Sequence, residues 1–242
     1  MFSTINSHRR AFRSIVMATL AVFALTACVQ TAHKTTGELK SGSENRRIVL
    51  MPVDIELSVL NAGGVNEPRA DWTNAGREHV RTALAAHTAA FEAEIVVPDN
   101  SDILDDLDKE QLQIVKLANA VGSSILLHEY LPQLKLPTKK DQFDWTIGPD
   151  AKLLKEKYDA DYALFVFLRD SYASSGRVAV IIIGAILGVG VQGGIQAGTA
   201  TLVDLDTGQV VWFNRLARAS GDLRNGDAAT ETIKLLLTEF PT

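Results

Sequence analysis

Seven consecutive residues, Tyr162 to Leu168 (YALFVFL), are apolar or aromatic without a break. A strand with one wet face alternates apolar and polar side chains, because successive residues point to opposite faces. An unbroken run of this length belongs instead to a central strand covered on both faces. Covering both faces of a sheet takes helices on each side, so this segment alone points to an α/β domain.

The flanking sequence supplies the other parts. Ile48 to Val53 is a second apolar run that reads as a strand ending near Pro52. Asn61 to Pro68 (NAGGVNEP) reads as a loop. Trp72, Gly76, Val80, Leu84, His87 and Phe91 recur every three or four positions, the period of an amphipathic helix. Ile95 to Val97 gives a short strand closed by Pro98. A second amphipathic helix falls within Asp105 to Glu129, with Leu107, Ile114, Leu117, Ala118, Val121 and Ile125 on its apolar face. Asp102, Asp105, Asp106 and Asp108 sit at its start, where the helix dipole favours negative charge. Leu131 to Pro149 reads as an exposed excursion, and Pro149 can open a short helix through Tyr158. Residues 199–217 read as two strands joined at Asp206-Thr207-Gly208. Residues 225–240 read as a last helix, with Asp227 as candidate cap and Ile233, Leu236, Leu237 and Phe240 inward. The predicted fold is α/β, a mixed sheet flanked by helices with a C-terminal β-hairpin and a final helix.

One stretch breaks the pattern. Val178 to Val191 carries no polar or charged side chain for fourteen residues, and Gly184, Gly188 and Gly190 are spaced through it. The whole apolar, Gly-rich segment, residues 178–198, reads as an insertion. Three readings stay open: one or two buried strands, which is favoured; an apolar hairpin or loop that touches membrane or a partner; and a transmembrane helix. Fourteen residues fall short of the roughly 20 that span a bilayer. If the run is a contact surface, its candidate residues are Val178, Ile181, Ile182, Ile183, Gly184, Ile186, Leu187, Gly188 and Gly190.

The N-terminus says where such a domain would work. Arg9, Arg10 and Arg13 precede a nearly unbroken apolar or small stretch from Ser14 to Thr26. That is the charged region and apolar core of a bacterial export signal. The stretch closes on Leu25-Thr26-Ala27-Cys28, and Cys28 is the only cysteine in the chain. Three of the 24 basic residues and none of the 29 acidic ones fall in residues 1–27, so the remainder carries a net charge of −8. An acidic domain does not bind nucleic acid through its backbone phosphates, so no nucleic-acid partner is expected. Residues 28–45 are polar and rich in Thr, Ser and Gly, and read as a flexible tether. The expected division is thus 1–27 signal peptide, 28–45 tether, and 46–242 one α/β domain.

The search for catalytic chemistry yields little. His79 and His87 are eight residues apart, too far for the four-residue spacing of a helical zinc pair; His33 falls in the tether and His128 stands alone. Ser171, Ser174 and Ser175 follow the central strand, where α/β ligands often bind, but no Gly-x-Ser-x-Gly occurs. The acidic residues from Asp102 to Glu110 lack the order of a calcium loop. No catalytic, cofactor or metal site is expected, and the chain is read as non-enzymatic, a hydrolase being the distant alternative.

Leu25 to Cys28 resembles the lipobox of bacterial lipoproteins. The resemblance implies that the Cys28 thiol receives a diacylglycerol, that cleavage follows before it, and that its new amine is acylated. Two further motifs are similar to a broad group of envelope lipoproteins with an α/β domain like the N-terminal domain of TolB. Asp161 and Tyr162 match the group's "aDyvl" strand, and Leu202, Asp204, Thr207, Gly208 and Trp212 match its hairpin "L-x-D-x-x-T-G-x-x-x-W". The group includes CsgG, LpoB and a lipoprotein family first noted as a vaccine antigen. In CsgG a segment of the domain rearranges into a membrane-barrel hairpin, but barrel strands alternate apolar and polar residues and residues 178–191 do not, so no pore is expected. The resemblance implies a lipoprotein held to the outer membrane by acylated Cys28, with Val29 permitting that sorting and the domain on the periplasmic side. The expected role is docking or assembly of an envelope complex, with a homo-oligomer or another envelope protein as partner. The alternative is a secretion or export component whose Gly-rich segment contacts membrane.

Overall fold

A computed structural model describes residues 30–36, 39, 46–91, 93–98 and 107–241. Cys28 and the export signal lie outside the described residues, as do Asp102, Asp105 and Asp106. The fold is mixed α/β, as the sequence implies. One eight-stranded sheet comprises β1 (Gln30–Thr35), β2 (Arg47–Leu50), β3 (Asp54–Leu60), β4 (Asn66–Pro68), β5 (Glu94–Val96), β6 (Tyr162–Ala173), β7 (Gln196–Asp204) and β8 (Val210–Arg218). Among the described residues five α-helices accompany it: α1 (Ala70–Thr88), α2 (Lys109–Tyr130), α3 (Lys152–Tyr158), α4 (Ser175–Ile186) and α5 (Gly226–Leu236).

The order across the sheet is β1-β8-β7-β6-β2-β5, with β3 continuing along the same edge of β6 as β2. β6 runs parallel to β2 and β3 and antiparallel to β7. Pro52 explains the division into β2 and β3. It has no N–H to give to the ladder, so pairing lapses there and resumes at Asp54. The strand expected to end at the proline therefore has a second half, β3, and the expected loop at Asn61 to Pro68 closes with β4 paired back onto it.

The central strand behaves as its composition requires. Leu164, Val166 and Leu168 point into a core shared with Val80 and Leu84 of α1 and Ile233 and Leu236 of α5. Ala163 and Phe165 point the other way, into a core shared with Ile114 and Ile125 of α2 and Leu154 of α3. Trp212 of β8 is fully buried in the first core. The β7–β8 turn uses the expected residues. Asp204 Oδ1 accepts from the N–H groups of Asp206 and Thr207, both at 2.9 Å. Gly208 has φ +72°, and a Cβ there would sit 1.9 Å from the Gly148 carbonyl oxygen, so no side chain fits.

Four expectations need correction. The tether is not loose throughout: Gln30–Thr35 is an edge strand paired antiparallel with β8. The Tyr130 hydroxyl donates to the Ala32 carbonyl at 2.8 Å, and Lys34 pairs with Glu129 at 2.7 Å. Its side chains are polar because backbone bonds hold it. The excursion from Leu131 to Pro149 is not wholly exposed, because Trp145 and Ile147 are buried and Thr146 bridges to Gln209. Leu117 was placed on the apolar face of α2 and is 45% exposed. The cap of α5 is Asn225, whose side chain accepts from the N–H groups of Asp227 and Ala228.

Candidate functional site

The Gly-rich run is not the buried strand expected: it is helical through Ile186, irregular over residues 187–195, and a strand only in its last residues, Gln196 to Gly198. It folds as α4, followed by a return segment that leads into β7, and deletion of residues 178–198 would cut the first residues of β7. Helix α4 has 12 residues, about 18 Å of length, well short of the roughly 30 Å hydrocarbon core. Among the described residues no helix is long and apolar enough to cross a membrane.

Local chemistry builds the helix. The Ser174 N–H donates to the Leu60 carbonyl at 2.9 Å, and the Ser174 hydroxyl accepts from the Arg177 N–H at 3.1 Å, capping the first turn. Gly188, at φ +72°, ends the helix, and the Val189 N–H reaches back to the Gly184 carbonyl at 2.7 Å. The chain then folds against the helix at Gly184. A Cβ there would lie 2.6 Å from Val191 Cγ2 and 2.9 Å from the Val189 oxygen. Arg177 Nε donates to the Gln192 carbonyl at 2.9 Å, and the Ser171 hydroxyl clamps the backbone of Ile195 from both sides.

From Val178 to Val191 this hairpin-like projection carries no polar side chain, yet only its inner side is covered. Gly184 is buried, Ile181 packs beside Gly193, and the outer side stands in solvent. Ile186 is 78% and Leu187 71% exposed, and Val178, Ile182 and Ile183 are exposed with them. Gly188 and Gly190 face open space. Seven of the nine residues picked from the sequence therefore lie on the exposed surface, whereas Ile181 and Gly184 hold it together. Val189 and Ile195 extend the surface, as does Val65 in the β3–β4 turn at the same end of the sheet. The sequence signal for Val65 was an apolar residue in the middle of NAGGVNEP.

Beneath the projection the polarity is reversed. Asp170 Oδ2 accepts from the Tyr172 hydroxyl, from Gln196 Nε2 at 2.8 Å and from the Leu223 N–H at 3.1 Å. Arg218 Nε donates to Gln196 Oε1 at 2.7 Å, and its other nitrogens reach Thr232 and Glu231. Asp170, Gln196, Arg218 and Thr232 are all buried. Burial outweighs the hydrogen bonds and holds the Asp170 carboxyl above its usual range, and burial together with the Asp170 bond pushes the Tyr172 hydroxyl up. Arg224 stacks 3.7 Å over the Tyr172 ring, and Trp72 meets that ring edge-on.

The side chains considered for catalysis go elsewhere. The described hydrogen bonds of Ser171 and Ser174 are to backbone groups. His33 stands in β1, His79 bonds the Leu223 carbonyl, His87 packs on Phe91, and His128 bonds the Leu134 carbonyl and stacks on Trp145. Among the described residues no group of three His, Cys, Asp or Glu side chains is placed to hold a metal ion.

No protein-family model matches the chain, and no curated protein matches it in sequence. Among solved structures the chain is similar to the PelC dodecamer from Paraburkholderia phytofirmans, with a TM-score of 0.40 and 14% identity, over 89% of this chain and 99% of that one. A methionine-substituted PelC dodecamer from the same organism gives the same figures.

Proposed function

We propose that this chain is a lipid-anchored, non-catalytic lipoprotein of the bacterial outer membrane, acting in docking or assembly of an envelope complex. The observation that carries the reading is an inversion of polarity at one end of the sheet. The side chains that could do chemistry there are buried and bonded to one another, whereas the most apolar surface is turned outward on α4. A surface of that kind is built to be covered rather than to turn over a substrate. The lipobox-like Leu25 to Cys28 supplies the anchor, and several acyl chains at about 0.8 kcal/mol per buried methylene hold a protein to a bilayer.

The test is the mature chain itself, expressed with its export signal. The N-terminal peptide should begin at Cys28 and carry the mass of diacylglyceryl and amide-linked acyl groups. Light scattering of the detergent-extracted protein should then give an oligomer or a stable complex. A mature chain with an unmodified Cys28 thiol would sink the anchor, and a lone monomer would sink the assembly role. A second reading, an export component whose apolar segment contacts membrane, draws support from the exposure of Ile182, Ile183, Ile186 and Leu187.

A further inference from the structure

The register of the sheet relates α4 to the anchor. Gln30 pairs with Ala217, Ala217 with Ala197, Ala197 with Arg169 and Arg169 with Glu56. These five residues form one row across β1, β8, β7, β6 and β3. The strand directions alternate so that β1 begins at the end where β6 finishes. The chain from Cys28 thus enters the sheet at the end from which α4 emerges. Only Val29 lies between Cys28 and Gln30, so two residue steps separate them, a reach of at most about 7 Å. Three strand spacings, about 14 Å, separate β1 from β6.

We infer that α4 and its return segment rest on the same bilayer that holds the acyl chains of Cys28, so that the domain stands on end with its β7–β8 turn pointing away. This inference rests on the anchor reading above. The occupant is lipid because the apolar surface lies beside the point where the chain leaves for its anchor. Its composition agrees. No charged side chain occurs from Val178 to Val203, whereas a protein interface carries a polar rim. The contact is apolar rather than electrostatic, since the domain is acidic and Arg177 is engaged with Gln192 and Ala62. Two footholds about 14 Å apart across the sheet fix an orientation that one flexible anchor leaves free.

The experiment uses the full acylated chain in phosphatidylethanolamine–phosphatidylglycerol vesicles. Acylation consumes the only native thiol, so Ile186→Cys and Gln209→Cys each offer one site for an environment-sensitive fluorophore. Ile186 is exposed on α4, and Gln209 is exposed in the β7–β8 turn, about 30 Å away along β7. The label at position 186 should shift to the blue and lose its fluorescence to spin-labelled lipid. The label at 209 should do neither, and raised salt should change nothing. Adding Ile182→Asp should restore the aqueous signal at 186 while the acyl mass is unchanged. An aqueous label at 186 on an acylated chain would overturn the inference and leave the anchor standing. A label shielded from aqueous iodide but not quenched by lipid would overturn it in favour of a protein cover, such as a second copy. A chain without acyl mass would overturn the anchor reading and this inference with it.

Discussion

Strand β6 ends in two contrasting neighbourhoods. On one side Asp170 gathers Tyr172, Gln196 and the Leu223 N–H into a buried polar cluster that continues through Arg218 to Thr232. A few residues further on, α4 turns isoleucine and leucine outward. Each neighbourhood puts its side chains where the hydrophobic effect alone would not. A buried polar group costs little only when every partner is present. An exposed apolar helix makes sense only when something covers it. The polar cluster is therefore complete among the described residues, whereas the outer side of α4 is left uncovered by them.

The largest test of that contrast is Asp170→Ala. It strips this acceptor from the Tyr172 hydroxyl and from Gln196 Nε2, while the Leu223 N–H keeps the Tyr172 oxygen at 2.9 Å; unmade buried hydrogen bonds cost about 1–3 kcal/mol each, so denaturant unfolding should show a loss of about 2–6 kcal/mol. Next comes Gly184→Leu, which drives a side chain into Val191 and the Val189 carbonyl. Prying the return segment off α4 should lower stability by roughly 1–3 kcal/mol and raise proteolysis within residues 188–195.

A finer test separates charge from geometry in the cluster. Burial raises the Asp170 carboxyl in the native state, so the folded chain holds that proton more tightly than the unfolded chain. The stabilisation from this proton is complete below the unfolded value of 3.8 and fades as pH rises through the higher native value. The stability difference between the wild type and Asp170→Asn should therefore favour the wild type most in acid and shrink as pH rises across that window. A difference independent of pH would show that the carboxyl titrates alike in both states. The smallest expected effect on stability is that of Ile182→Asp with Ile186→Asp. Both residues are exposed, so thermal unfolding should stay within about 0.5 kcal/mol of wild type, while binding of a hydrophobic dye should fall. A large loss of stability would mean that α4 is covered within the domain.

The two neighbourhoods also differ in how far the sequence revealed them. The central strand was legible because both of its faces are buried, so its pattern is a plain apolar run. The β7–β8 hairpin was legible because its turn chemistry is local to Asp204, Thr207 and Gly208. Helix α4 was noticed as a contact candidate but misread as strand. From Val178 to Val191 no polar side chain marks a solvent face, and its valines and isoleucines favour strand. The Asp170 cluster went unnoticed because its members come from four separated segments, and only the charged pair Arg169-Asp170 after an apolar strand hinted at it. Strand β1 was hidden for another reason. Its hold on β8 runs through backbone groups, which every sequence possesses.

That first strand has a mechanical consequence. An anchor at Cys28 would pull on Gln30 along the axis of β1, while a partner at the far end of the sheet would pull the opposite way. The load would then run parallel to the six-residue pairing with β8, and its hydrogen bonds would share the force instead of parting one after another. The ion pair of Lys34 with Glu129 and the Tyr130 bond to Ala32 add two cross-bolts to the same joint. Under such an anchor, a short polar segment at the start of the domain would serve as a lap joint between membrane and fold, loaded in shear.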